Sequence, residues 1–203
     1  MELIWNGHSC FTLNTAQGCV VFDPYRDGSV PGLAPLELTA DLVLCSHEHR
    51  DHGARESVSL TGNSVSFQVE ELSTFHDPEG GTLRGPNTIH ILSAEGMRLA
   101  HLGDLGCELE PEQLDRLRGL DALLIPVGGF YTIDARQAQA LVEEVKPRVV
   151  VPMHYRSDSF GYDVIGVLDD FLAMRNDIIR YSGNTLTLAP DTPAQTAVLT
   201  CLG

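Results

Sequence analysis

Hydrophobic positions fall along the chain in short runs whose period changes part-way. In the first half the runs are compact: Leu3–Asn6, Cys10–Asn14 and Cys19–Asp23, the last two separated by a Gln17-Gly18 turn. Such runs, bounded by turn-forming residues, read as strands. Pro24 opens a loop carrying Pro31, Gly32 and Pro35, and Asp41–Ser46 follows as a buried-strand pattern. Ser64–Glu70 and Leu72–Phe75 read as two further strands. Asn87–Ser93 and Met97–Leu102 flank Glu95-Gly96 and predict a hairpin.

The second half mixes periods. Pro111–Leu117 opens on a proline suited to a first helical turn. Asp134–Val145 has helical spacing with Asp134 as its N-cap, and Asp163–Met174 reads as another helix. Between them lie the apolar runs Asp121–Val127 and Arg148–Pro152. Thr185–Leu188 reads as a last short strand, and the tail beyond Pro190 as loosely ordered. Strands first, then strands mixed with helices, predict an α/β protein with two β-rich layers flanked by helices. Residues 1–203 are expected to form one domain, because no linker, repeat or low-complexity stretch interrupts them.

Composition narrows the chemistry. Apolar residues make up 43% and charged residues 20%, which is ordinary for a folded globular chain. Thirteen basic against 28 acidic residues give a net charge of −15. Such a surface repels nucleic acid and anionic membranes, so a small-molecule substrate is expected, with homo-oligomerisation left open. The N-terminus has no basic leader, and no apolar run reaches the roughly 18 residues of a membrane span. Five cysteines, odd in number and without a C-x-x-C pair, read as reduced thiols. A cytoplasmic location follows as an expectation.

The densest chemistry is His47-Glu48-His49-Arg50-Asp51-His52, directly after the apolar run Leu42–Cys45. Residues two apart in an extended chain point the same way, so His47 and His49 can grip one metal. A turn between Arg50 and Asp51 would aim Asp51 and His52 at a second metal. Two such metals, about 3.5–4 Å apart, can activate one water between them. Two other metal motifs fail on spacing: position 51 is Asp rather than the second histidine of a zincin helix, and no downstream Pro-Cys-x-x-Cys of a nucleobase deaminase exists.

The hexapeptide resembles the H-x-H-x-D-H signature of the metallo-β-lactamase superfamily. Gly7-His8-Ser9-Cys10-Phe11, Phe22-Asp23-Pro24, His101-Leu102-Gly103-Asp104, Ile125-Pro126-Val127-Gly128-Gly129 and Val151-Pro152-Met153-His154-Tyr155 are similar, in order, to segments of its small bacterial metal-dependent hydrolases, the UlaG-like and YtkL-like branch. The resemblance implies a four-layer αββα sandwich and supplies ligands that local spacing cannot. His47, His49 and His76 would hold one metal, Asp51, His52 and His154 a second, with Asp104 bridging. Donors of this kind suit zinc, manganese or iron, and prevalence among similar families favours two zinc ions. The implied activity is hydrolysis of an ester, lactone, amide or phosphodiester by a metal-bound hydroxide, which the catalytic Asp51 would orient. An oxidoreductase, or a metal-sensing or binding protein on the same fold, is the alternative.

Four further residues are candidates for supporting the ligands or meeting substrate. Asp23 either fixes a ligating histidine or caps a turn, and His8 either reaches the site rim or caps a turn. Arg84 lies in the glycine-rich stretch His76–Asn87, where the resemblance leads one to expect serines; it either holds a substrate anion or pairs with Glu79 or Asp77. Tyr155 is expected on the substrate wall with Gly128-Gly129-Phe130-Tyr131. His90 and His101 read as structural.

Overall fold

The computed structural model describes residues 1–201. Its strands are β1 (Glu2–Gly7), β2 (Cys10–Thr15), β3 (Gly18–Phe22), β4 (Leu38–Ala40), β5 (Leu42–Leu44), β6 (Val58–Leu60), β7 (Gln68–Phe75), β8 (Pro86–Ala94), β9 (Met97–His101), β10 (Ala122–Pro126), β11 (Val149–Met153), β12 (Ile178–Arg180), β13 (Thr185–Thr187) and β14 (Gln195–Val198). The helices are α1 (Pro111–Leu117), α2 (Ala135–Val145) and α3 (Leu168–Leu172). Two main sheets form the expected α/β sandwich: a five-stranded sheet in the order β13-β1-β2-β3-β5 and a seven-stranded sheet in the order β12-β14-β11-β10-β9-β8-β7.

Alternation along the strands decides which face is inside. Phe11, Leu13, Val20 and Phe22 join one buried cluster with Ile89, Ile91, Leu99, Leu123 and Ile125 of the other sheet. Cys10 and Val21, pointing the opposite way, join a smaller cluster with Tyr25, Val30, Ala40 and Val58. The outer face of the five-stranded sheet is therefore covered by the proline-rich loop and the β4–β6 pair. The three α-helices run side by side, α1 next to α2 and α2 next to α3. Asp134 caps α2 as expected, accepting from the backbone N–H groups of Arg136 and Gln137.

Three expectations are corrected. The tail beyond Pro190 is not loose: β14 is buried and lies between β11 and β12, parallel to both. Propensity missed it because its packing partners lie far away in sequence. Ser64–Gln68 mostly precedes the strand, which runs unbroken through Glu71 as β7 and pairs with β8 along its whole length. The helix expected over 163–174 shrinks to Leu168–Leu172, with an irregular loop before it. Among the described residues no helix is long and apolar enough to cross a membrane, and all five cysteines are free.

Candidate metal centre

Both sheets deliver polar side chains to one place from the C-terminal ends of their strands. His8 follows β1, Asp23 follows β3, His47–His52 follow β5, His76 follows β7, Asp104 follows β9 and His154 follows β11. The turns there are sharp. His8, Asp23 and His154 sit in the left-handed region at φ of 50°, 43° and 52°. For residues other than glycine that costs about 1–3 kcal/mol each, and such strain gathers at functional sites. Gly103, also left-handed, lets the Asp104 turn press onto Ser46 and Asn87, where a Cβ would collide. The hexapeptide is itself a turn: the His52 and Gly53 N–H groups both donate to the His49 carbonyl, at 3.0 and 2.7 Å. His47 and His49 thus meet across a bend rather than along the extended chain that their spacing suggested.

Two groups of donors result. His47, His49 and His76 form one, and His8, Asp51, His52 and His154 the other, the ligand atoms in each lying within 4.8 Å of one another. Asp104 spans them. Its Oδ1 is 3.2 Å from His52 Nε2, and its Oδ2 is 3.1 Å from His76 Nε2 and 3.3 Å from His154 Nε2.

Outer hydrogen bonds aim several of these donors inward. Asp23 accepts from the Ser46 N–H at 2.7 Å, the Ser46 hydroxyl at 2.6 Å and His52 Nδ1 at 2.8 Å. With its proton committed to Asp23, the Ser46 hydroxyl can only accept from His47 Nδ1, 2.9 Å away. His76 Nδ1 donates to the Tyr131 carbonyl at 3.0 Å. In His47, His52 and His76 the Nε2 lone pair is thereby left facing the centre, as a metal-binding imidazole requires. Asp104 is held by its own N–H, which donates to Asn87 Oδ1 at 2.9 Å.

The charge states suit a cation. Burial, then neighbouring imidazoles, push His8 down to about 4 and His47 down to about 3. Burial alone would raise Asp104, but His154 and His52 override it and hold the carboxyl well below its usual range. Asp51 is lowered in the same way, His52 and His8 outweighing burial. His52 goes the other way: burial opposes its charge, yet Asp104 and Asp51 push it well above the ordinary value. The carboxylates that favour a proton on His52 would equally favour a metal cation in its place. His8 Nδ1 and Nε2, His47 Nε2, His52 Nε2, His154 Nδ1 and Nε2, and Asp104 Oδ1 are all buried without a hydrogen-bond partner. Buried polar atoms are normally paired, and so many at one point fit a divalent metal.

Every expected ligand therefore meets at this centre, and Asp23 and His8 meet it too. Tyr155 does not: its ring packs on Trp5 and Phe160, at 5.6 and 5.9 Å, in the core. The left-handed turn at His154 ends the strand and leaves Tyr155 against the core beside Trp5. Arg84 makes no ion pair with Glu79 or Asp77. Asp77 instead accepts backbone N–H groups from Glu79, Gly81, Leu83 and Arg84, and the Arg84 guanidinium lies over the Tyr131 and Phe130 rings, at 5.5 and 6.0 Å. His101 is structural, bonded to the Ser9 carbonyl and stacked on Phe22. Tyr162 carried no signal in the sequence; its hydroxyl donates to the Ser29 carbonyl at 2.7 Å and stands 3.1 Å from Asp51 Oδ2. Ser46 and Asn87 were likewise unmarked.

A profile described as the β-lactamase superfamily domain matches residues 2–154. The chain belongs to the β-lactamase superfamily. Within that superfamily it is 27% identical over 190 residues to a metal-dependent hydrolase of Thermoplasma acidophilum, covering 77% of this chain and 84% of that one. A protein of the same UPF0173 group from Pyrococcus furiosus is 31% identical over 182 residues, covering 76% and 83%. A crystal structure of a protein from Thermotoga maritima, assigned as a Zn-dependent hydrolase of the metallo-β-lactamase superfamily, superposes with a TM-score of 0.77 at 28% identity, covering 98% of this chain and 97% of that one.

Proposed function

We propose that this chain cleaves an ester, lactone, amide or phosphodiester bond in a small anionic molecule, using two divalent metals, zinc first among them. The enzyme class rests on the family: the chain is a metal-dependent hydrolase. His47, His49 and His76 would hold one ion and Asp51, His52 and His154 the other. The observation that carries the dinuclear reading is Asp104, whose two oxygens straddle imidazoles of both groups. When bound, such ions supply an activated water at neutral pH and stabilise negative charge on the substrate.

The chain's own residues do the rest. Asp51, beside the Tyr162 hydroxyl, would orient the attacking water. Asp23 and Ser46 keep His52 and His47 in the tautomer that leaves Nε2 free. Arg84 stands on Tyr131, the residue whose carbonyl holds His76. No carboxylate is paired with it among the described residues, so it is available for a substrate carboxylate or phosphate. Five unpaired cysteines support a reducing, cytoplasmic setting.

Elemental analysis of protein purified without chelator, followed by a panel of esters, lactones and phosphodiesters, tests this reading. About two divalent ions per chain and turnover of one bond class are expected. Less than about a tenth of an equivalent after incubation with zinc or manganese would overturn it, as would iron content coupled to oxygen uptake. Chelation should also lower the melting temperature: a ligand bound only by the folded state at about 100 times its Kd adds about 2.7 kcal/mol.

A further inference from the structure

His8 is buried completely, yet neither of its ring nitrogens has a hydrogen-bond partner. Burying an imidazole without partners is costly, and hydrogen bonding elsewhere in the centre does not relieve it. The backbone adds to that cost. β1 and β2 are joined by the two residues His8-Ser9, with Gly7 opposite Cys10. Two-residue hairpin loops favour Gly or Asn at left-handed positions, but here a histidine occupies φ 50°. The turn is locked in that form: the His8 carbonyl accepts the Trp5 indole N–H at 2.9 Å and the His154 N–H at 3.4 Å. A strained turn thus holds a partnerless imidazole in a fixed place.

That place is the second group of donors. The His8 ring lies 4.2 Å from the His154 ring and 5.3 Å from the His52 ring, centroid to centroid. Its Nε2 is 3.4 Å from Asp51 Oδ2. We infer that His8 is a fourth protein ligand of the metal held by Asp51, His52 and His154, an assignment that rests on the dinuclear reading above. The two ions are then unlike: one in an all-imidazole group of three, the other in a buried group of three imidazoles and a carboxylate, with Asp104 between.

The test is a titration of metal-free protein with zinc, repeated with cobalt to read the visible spectrum of each site. His8→Asn is the informative variant, because asparagine tolerates a left-handed turn yet cannot reach as an imidazole does; His8→Ala accompanies it. The wild type should take two equivalents. Both variants should bind the first like the wild type and the second at least about tenfold more weakly, with an altered cobalt spectrum for that step. Metal-free His8→Asn should melt no lower than metal-free wild type, since a strained, unpaired imidazole has been removed. If the variants bind the second equivalent with wild-type affinity and spectrum, the assignment is overturned while the dinuclear reading stands. If metal-free His8→Asn melts lower and its metal binding is unchanged, His8 is a scaffold residue. A wild type that takes only one equivalent overturns the dinuclear reading and this assignment with it.

Discussion

The two halves of the metal centre are built differently. In the His47–His49–His76 group, two imidazoles already have their Nδ1 atoms tied to Ser46 and to the Tyr131 carbonyl, and His49 is exposed at the mouth. Of the three imidazoles in the His8–Asp51–His52–His154 group, His52 alone is tied back, to Asp23, and both nitrogens of His8 and His154 are unpartnered and buried. The first half is organised by the protein before any ion arrives; the second depends on an ion to satisfy it. Preorganised donors favour early loading and ready exchange with solvent. Buried, unsatisfied donors favour an ion that is slow to leave and whose loss destabilises the fold. The open half is also the one beside Arg84 and the exposed Phe130, so it is the side from which substrate would arrive.

The largest effect should come from the residue shared by both halves. Asp104→Asn keeps the shape but removes the charge that faces His52, His76 and His154. If that costs the site an ion, the several kcal/mol of transition-state stabilisation a metal supplies goes with it, a fall in turnover of about a hundred- to a thousandfold. Metal analysis should show binding weakened most in the His8–Asp51–His52–His154 half, because two of the three imidazoles that Asp104 faces, His52 and His154, belong to it. Wild-type turnover with two bound ions in Asp104→Asn would break the comparison, because the halves would then be independent.

Legibility in the sequence followed the range of the interactions. The hexapeptide was readable because its donors are adjacent and follow an apolar strand, although β5 is a half-buried edge strand rather than the buried one its pattern suggests. The β8–β9 hairpin and the N-terminus of α2 were readable because turn and cap chemistry is local. The expected ligands His76, Asp104 and His154 could be singled out only through resemblance, since a histidine or aspartate at a strand end is not distinctive by itself. β14 was missed because its burial comes from β11 and β12, and Tyr162 because its partners Ser29 and Asp51 lie 133 and 111 residues away. For Arg84 the sequence leaves two readings open, and the structure closes the local ion pair: backbone N–H groups of its own loop take Asp77.

Acid should act on both halves at once in the metal-free protein. Unfolded imidazoles titrate near 6.5, whereas His8 in one half is held to about 4 and His47 in the other to about 3. Below about pH 6.5 the unfolded state binds more protons than the folded one, so stability falls as pH falls. His52, raised by Asp104 and Asp51, adds stability that is fully present below its unfolded value and is lost as pH rises through its folded one. The metal-free protein should therefore lose stability as pH falls below about 6.5, by on the order of 1 kcal/mol each for His8 and His47 by pH 5.5, with His49, His90 and His101, lowered chiefly by burial, acting in the same direction; urea denaturation in chelator measures it. Replacing either His8 or His47 by Asn should reduce that loss by on the order of 1 kcal/mol; a flat profile would mean that neither imidazole is neutral in the fold.

The smallest effect should come from Arg84, which tests where the open half receives its substrate. The guanidinium contacts aromatic faces, a contact worth roughly 0.5–1 kcal/mol at an exposed site, so Arg84→Ala should barely change the melting temperature. It should leave both ions bound, because Arg84 touches no ligand side chain and His76 is held by the Tyr131 backbone rather than its ring. If Arg84 holds a substrate anion equally in the ground and transition states, its loss raises KM and leaves kcat alone. A tenfold rise in KM, about 1.4 kcal/mol, is expected on an anionic substrate and none on a neutral analogue with the same scissile bond. Equal effects on both substrates would remove Arg84 from recognition. A fall in kcat with a loss of metal would place it instead among the supports of His76, making the open half less preorganised than its hydrogen bonds imply.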